Sequence, residues 1–208
     1  MAALRTLEKP RAESPPPRGP GVGEGPGRGP GDGASALQPA RVATWLVVGV
    51  VTILFASFTS TYLARRTLPD WQPVAMPRIL WVNTAVLLAS SVALETARRA
   101  AARGRRGQAR RATAVAALLG VGFLLGQLAA WRALVAAGVS LATGPHSDFF
   151  YLLTGVHGLH LTGGVLALGY AWWRAGRAAQ AAMLTTVAVY WHFVDVLWLY
   201  LLVILFWA

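Results

Sequence analysis

Tyr190-Trp191-His192-Phe193-Val194-Asp195-Val196-Leu197-Trp198 sits inside an almost unbroken apolar run from Thr185 to Trp207. A helix crosses the hydrocarbon core of a bilayer with about 20 apolar residues, so this run is long enough to span. Its histidine and aspartate must then lie among lipid or neighbouring helices, where an ionisable side chain is costly and turns toward protein or water. His192 and Asp195 are three apart and share one helix face. The helix is built to meet partners.

Composition places the whole chain in the same class. Of 208 residues, 55% are hydrophobic and 13% charged, with no cysteine, which reads as a polytopic helical bundle and not a soluble domain with its own core. The missing cysteines exclude disulfides, zinc fingers and thiolate-held clusters. A net charge of +11 would suggest nucleic acid in a soluble protein. Here the charge comes mostly from arginines between apolar runs, where membrane orientation is the simpler account, and no nucleic-acid partner is expected.

Residues 1–40 are expected to form a disordered tail, because Pro10 to Gly33 is mostly proline, glycine and charge and buries too little apolar surface to offset ordering entropy. Its glycines match no phosphate-loop spacing, and no short apolar core with a cleavage site marks a signal peptide. Residues 41–208 read as an all-α membrane domain of five transmembrane helices, at about 42–64, 79–97, 112–131, 148–173 and 185–207. Pro69, Asp70 and Pro73 stop the first. Between the second and third lies a basic loop with Arg98, Arg99, Arg103, Arg105, Arg106, Arg110 and Arg111.

With that loop in the cytoplasm, five spans put the N-terminus and the Arg174 to Arg177 loop inside and the C-terminus outside. Every basic residue then lies on the inner side except Arg65, Arg66, Arg78 and Arg132, as the positive-inside rule requires. Trp81, Trp131, Trp172, Trp173 and Trp207 fall near span ends and read as interfacial anchors.

The polar residues of the last two helices carry the candidate site. His157 and His160 form a second pair three apart, and counting along both helices puts His160 and Asp195 near the midplane. Gly155, Gly158, Gly163 and Gly164 would let a neighbouring helix approach closely. The expectation is a buried structural cluster of His157, His160, His192 and Asp195. Two sharper readings stand beside it, haem ligation by the histidines and a proton relay through Asp195. The crowding of His157 and His160 on one face weighs against the first, and the scarcity of polar steps toward either surface against the second. Glu95, close to Arg98 and Arg99, reads as an interfacial ion pair; Asn83 and Gln127 read as interhelical hydrogen-bond donors.

At these residues the chain resembles a known family. Phe149 to His160 and Tyr190 to Trp198 resemble signatures of subunit III of the haem-copper respiratory oxidases, supported by Phe55 to Leu63 with Arg66, Asn83 to Ser91, and Gly126-Gln127. The resemblance spans all five helices and fits the short, five-helix form. It implies a non-redox subunit of a cytochrome c oxidase in a bacterial-type cytoplasmic membrane. Such a subunit has no catalytic residue or metal of its own, packs on subunit I and other oxidase subunits that hold the haem and copper, binds phospholipid, and supports proton uptake. The membrane carboxylate of many members falls at Val51 here, which cannot hold a charge. The alternatives are a quinol oxidase subunit III, the related small subunit accompanying nitric oxide reductase, or, in another class, an independent haem-binding or proton-conducting membrane protein.

Overall fold

The structure, a computed structural model, describes residues 32–69, 71, 77–141, 143–174 and 180–206. Among these are five helices, α1 (Asp32–Arg66), α2 (Ile79–Ala102), α3 (Arg106–Ala136), α4 (Pro145–Trp173) and α5 (Gln180–Phe206), each long and apolar enough to cross a membrane. Residues 1–31 of the expected tail, with Asp70, Pro73, Arg177 and Trp207, lie outside the described residues. From Asp32 the chain is already helical, so the helix begins ahead of the expected boundary at residue 40. Pro39, inside α1, heads the apolar span Pro39–Arg66.

The basic loop contracts to a turn. α2 continues to Ala102 and α3 starts at Arg106, because loss of apolar character ends a span without ending a helix, and Ala100 to Ala102 are strong helix formers. Gly104 closes α2 in the left-handed region, at φ 70°. The N–H of Arg105 reaches the carbonyl of Ala100 at 2.9 Å, and that of Gly104 the carbonyl of Ala101 at 3.1 Å. This is the paired Schellman pattern that satisfies the last free carbonyls of a helix. Gly138, at φ 82°, ends α3 in the same way, with Val139 N–H on the Leu134 carbonyl at 2.9 Å. α4 opens on Pro145 in the first turn, and the Ser147 hydroxyl accepts the Gly144 N–H at 3.1 Å, half of a capping box.

Packing follows a seven-residue rhythm. α3 buries Thr113, Ala116, Gly120, Phe123, Gln127 and Ala130, with gaps of three and four in strict alternation. α2 does the same through Leu80, Asn83, Leu87, Ser90, Leu94 and Ala97, and α5 through Leu184, Val187, Trp191, Val194, Trp198 and Leu201. A sustained 3.5-residue repeat winds helices into a left-handed bundle with knobs seated in facing holes. α2, α3, α4 and α5 form a square in which each packs on the next and α5 returns to α2; α1 lies outside it against α4 and α5. α1 leaves Trp45, Leu46, Val50 and Ile53 exposed and buries Val51, Phe55 and Tyr62.

The glycines of the square fall into two kinds. A Cβ at Gly120 would come within 2.6 Å of the Trp191 ring, and one at Gly164 within 3.0 Å of it. A Cβ at Gly158 would meet only Leu124, at 3.9 Å, ordinary contact. Thermal unfolding in detergent is therefore expected to show Gly120→Leu losing at least about 1–3 kcal/mol through overpacking, while Gly158→Ala stays within about 0.5 kcal/mol of the parent. Equal effects would remove Trp191 as the cause.

Candidate functional site

α5 supplies the polar interior. The Trp191 indole N–H donates to Ser90 Oγ of α2 at 2.9 Å while its ring fills the space left by Gly120 of α3 and Gly164 of α4. Two turns on, the Trp198 N–H donates to Thr84 Oγ1 of α2 at 3.0 Å, and its ring lies 4.8 Å from Phe123 of α3 and 5.1 Å from His157 of α4, centroid to centroid. A buried indole needs an acceptor for its N–H as well as an apolar slot for its body. Both are provided by three different helices at each of the two levels.

The four-residue cluster does not assemble as one unit. Ser91 of α2 donates its hydroxyl to Asp195, and His192 Nδ1 lies 2.8 Å from the same Ser91 oxygen. Asp195 is buried, whereas Ser91 and His192 are half-buried at the α2–α5 contact. His157 is fully buried between the rings of Phe123 and Trp198, and neither ring nitrogen has a hydrogen-bond partner among the described residues. His160 Nδ1 lies 2.8 Å from the Val156 carbonyl one turn back, and its ring meets Phe55 of α1 edge-on at 6.0 Å. No hydrogen bond among the described residues joins either α4 histidine to His192 or Asp195. The reason is rotational: α4 lays His157 between Phe123 of α3 and Trp198 of α5 and turns His160 toward α1, while α5 turns His192 and Asp195 toward Ser91 of α2.

The remaining polar expectations divide. Glu95 is the ion-pair centre expected of it, bound by Arg98 Nε at 2.8 Å and Nη2 at 2.7 Å and by Arg99 Nε at 2.7 Å. Asn83 and Gln127 are buried, but among the described residues neither Asn83 Nδ2 nor either Gln127 amide atom has a hydrogen-bond partner, so they are not the interhelical donors expected. Asn83 instead occupies the space beside Gly126, where a Cβ would collide with its amide. Trp81, Trp172 and Trp173 are exposed, with Arg110 stacked 4.7 Å above Trp172. Trp131 is half-buried and donates to Thr154 Oγ1 at 3.1 Å, so it serves the α3–α4 contact.

Sequence reasoning missed the hydroxyl acceptors. Thr84, Ser90 and Ser91 on α2 and Thr59 on α1, which accepts the Tyr200 hydroxyl at 2.9 Å, carry the bonds between helices. Their signal is the hydroxyl spacing on α2, where Thr84 and Ser90, six apart, meet Trp198 and Trp191, seven apart on α5. Among the described residues no group of three or more His, Cys, Asp or Glu is arranged to hold a metal ion. What the arrangement does chemically is fix rotation and register of one helix against three.

The chain is similar to proteins of one family. The family described as cytochrome c oxidase subunit III matches residues 44–208. A probable cytochrome c oxidase subunit 3 of Mycobacterium tuberculosis is 38% identical over 180 residues, covering 81% of this chain and 89% of its own length. The cytochrome c oxidase subunit 3 of Synechocystis is 28% identical over 169 residues, covering 77% and 71%. The cytochrome bo(3) ubiquinol oxidase subunit 3 of Pseudomonas aeruginosa is 31% identical over 164 residues, covering 74% and 78%. The chain belongs to the cytochrome c oxidase subunit III family, the third subunits of membrane terminal oxidases.

Proposed function

We propose that this chain is the non-redox third subunit of a cytochrome c oxidase in a bacterial inner membrane, where it packs against subunit I, stabilises it and supports proton uptake. Haem and copper belong to the partner subunits in this reading, and this chain binds none. The single observation that carries it is the use of the chain's intramembrane polar groups. Ser90, Ser91, Thr84 and the two buried tryptophans close on helix contacts, and the fully buried His157 ring is packed between those of Phe123 and Trp198. Cytochrome c is favoured over quinol as electron donor by the closer relatives, 38% identical over 81% of the chain against 31% over 74% for the ubiquinol oxidase subunit.

Orientation follows from charge. Arg98 to Arg111 crowd the α2–α3 end of the bundle, and a basic end is retained in the cytoplasm. The N-terminal end of α1 and the α4–α5 connection share that side, and the α3–α4 connection faces outward.

Two experiments test this. Gentle detergent purification through a tag on this chain is expected to bring a larger haem-containing subunit with it, in a complex that oxidises reduced cytochrome c. A Soret band stoichiometric with the isolated chain would overturn the reading, and oxidation of quinol alone would move it to the quinol branch. For sidedness, the chain offers a cysteine-free background. Arg103→Cys and Leu141→Cys place thiols at exposed sites of the two connections. An impermeant maleimide should label Leu141→Cys in spheroplasts and Arg103→Cys only after permeabilisation; the reverse pattern would invert the topology.

A further inference from the structure

Between α3 and α4, at the end of the bundle where their connection lies, a cleft of about 700 Å³ is lined by Leu128, Trp131, Arg132 and Val135 of α3 and by Tyr151 and Leu152 of α4. Clefts that hold small ligands run from about 300 to 1,000 Å³. The walls of this one are fixed by hydrogen bonds. Trp131 N–H donates to Thr154 at 3.1 Å, beside Gly155, where a Cβ would lie 3.5 Å from the indole. The Tyr151 hydroxyl donates to the Val139 carbonyl at 2.9 Å and so ties the α3–α4 connection to the first two turns of α4.

The lining has an apolar body and one charged end. Leu128, Val135 and Leu152 are exposed, and the polar atoms of Trp131 and Tyr151 are already bonded. Arg132 is exposed, and its guanidinium forms no ion pair with any described residue. It directly follows the apolar run Ala112 to Trp131, so it stands at the level where hydrocarbon gives way to headgroups. Leu128 lies about 6 Å deeper at 1.5 Å per residue.

An occupant has to match both ends. Water gains nothing from apolar walls, and an acyl chain without a head leaves the guanidinium unmet. Guanidinium recognises phosphate through paired N–H donors. A zwitterionic headgroup brings its own cation, which competes with Arg132 for that phosphate, whereas a headgroup of net negative charge does not.

We propose that the α3–α4 cleft holds one phospholipid of the outer leaflet with a net negative headgroup, its phosphate on Arg132 and an acyl chain along Leu128, Trp131 and Leu152. The outer leaflet follows from the sidedness proposed above. The site itself needs only α3 and α4 to cross a bilayer, so it stands or falls apart from the oxidase reading.

The tagged protein, stripped of lipid in mild detergent, is offered mixed micelles of phosphatidylglycerol or of phosphatidylcholine, and retained lipid is counted by native mass spectrometry. Retention of one phosphatidylglycerol per chain in preference to phosphatidylcholine is the expected result. Arg132→Gln should lower that retention about fivefold, the worth of one cation beside an anionic headgroup, while Arg103→Gln at the opposite end of the bundle changes it little. Leu128→Trp, which fills the cleft from an exposed position and leaves the charge in place, should lower it too. Equal retention of the two lipids, or equal loss from Arg132→Gln and Arg103→Gln, would overturn the site. Displacement of the lipid by inorganic phosphate at matched concentration would reduce it to a site for the ion alone and overturn the lipid assignment. A photo-crosslinking residue at Val135 that captures a transmembrane subunit in the intact complex would give the cleft to a protein partner and overturn it as well.

Discussion

In hydrocarbon no water stands ready to take an indole N–H, so a tryptophan inside a membrane bundle has to find its acceptor on another helix. Trp191 and Trp198 find theirs on Ser90 and Thr84 of α2, and each then lays its ring across the square onto α3 and α4. The constraint is severe because both conditions hold at once. Rotating α5 by one residue would carry both indoles off their hydroxyls, and sliding it by a turn would drive the Trp191 ring out of the space above Gly120 and Gly164. Two tryptophans two turns apart make the register of α5 a single solution.

The rest of the fold is fitted around that solution. Helices in lipid gain little by hiding apolar surface from one another, so close contact between backbones has to supply the attraction. α3 therefore carries alanine, glycine and threonine along most of its buried seam, and the large rings come from α5. α1 is held by other means. Tyr200 reaches Thr59, Tyr62 reaches the Ile204 carbonyl at 3.4 Å, and Phe55 meets His160. These contacts tie α1 to the side of the square and leave α5 open between α1 and α2.

How much of this could be read from sequence depended on whether a signal was local. Five spans and the class of the chain were legible because apolar run length is a local property. Glu95 was legible because its partners, Arg98 and Arg99, lie within one turn. The helix ends were not, since the arginines after Ala97 end the apolar run without ending the helix, and Gly104, the residue that does end it, lies inside the basic stretch. The expected meeting of the His157–His160 pair with the His192–Asp195 pair failed for a different reason. Spacing of three puts His157 with His160, and His192 with Asp195, on a common face, but it says nothing of the angle at which α4 and α5 present those faces. Only the depth of the midplane was calculable, and depth alone cannot choose between neighbours on opposite sides. Ser90 and Ser91 show the same limit. Adjacent on the chain, they point to different ends of α5's polar chemistry, one taking an indole N–H and the other serving Asp195.

Asp195 gains significance from what α1 lacks. Where family resemblance places a membrane carboxylate, this chain has Val51, which is buried in the α1 contact and 2% exposed. Among the described residues the buried acid is Asp195, and its neighbours set its role. Ser91 donates to it, His192 orders itself through Ser91, and the arrangement stops there; His157 and His160 are committed to aromatic and backbone contacts elsewhere in the square. A carboxylate that passes protons needs a successor within reach, whereas one that anchors a hydrogen-bond chain needs only a donor on one side and an oriented group at the far end. Asp195 has the second kind of surroundings. Ser91 is the side chain of α2 that both Asp195 and His192 meet, and through it the polar face of α5 is held against α2.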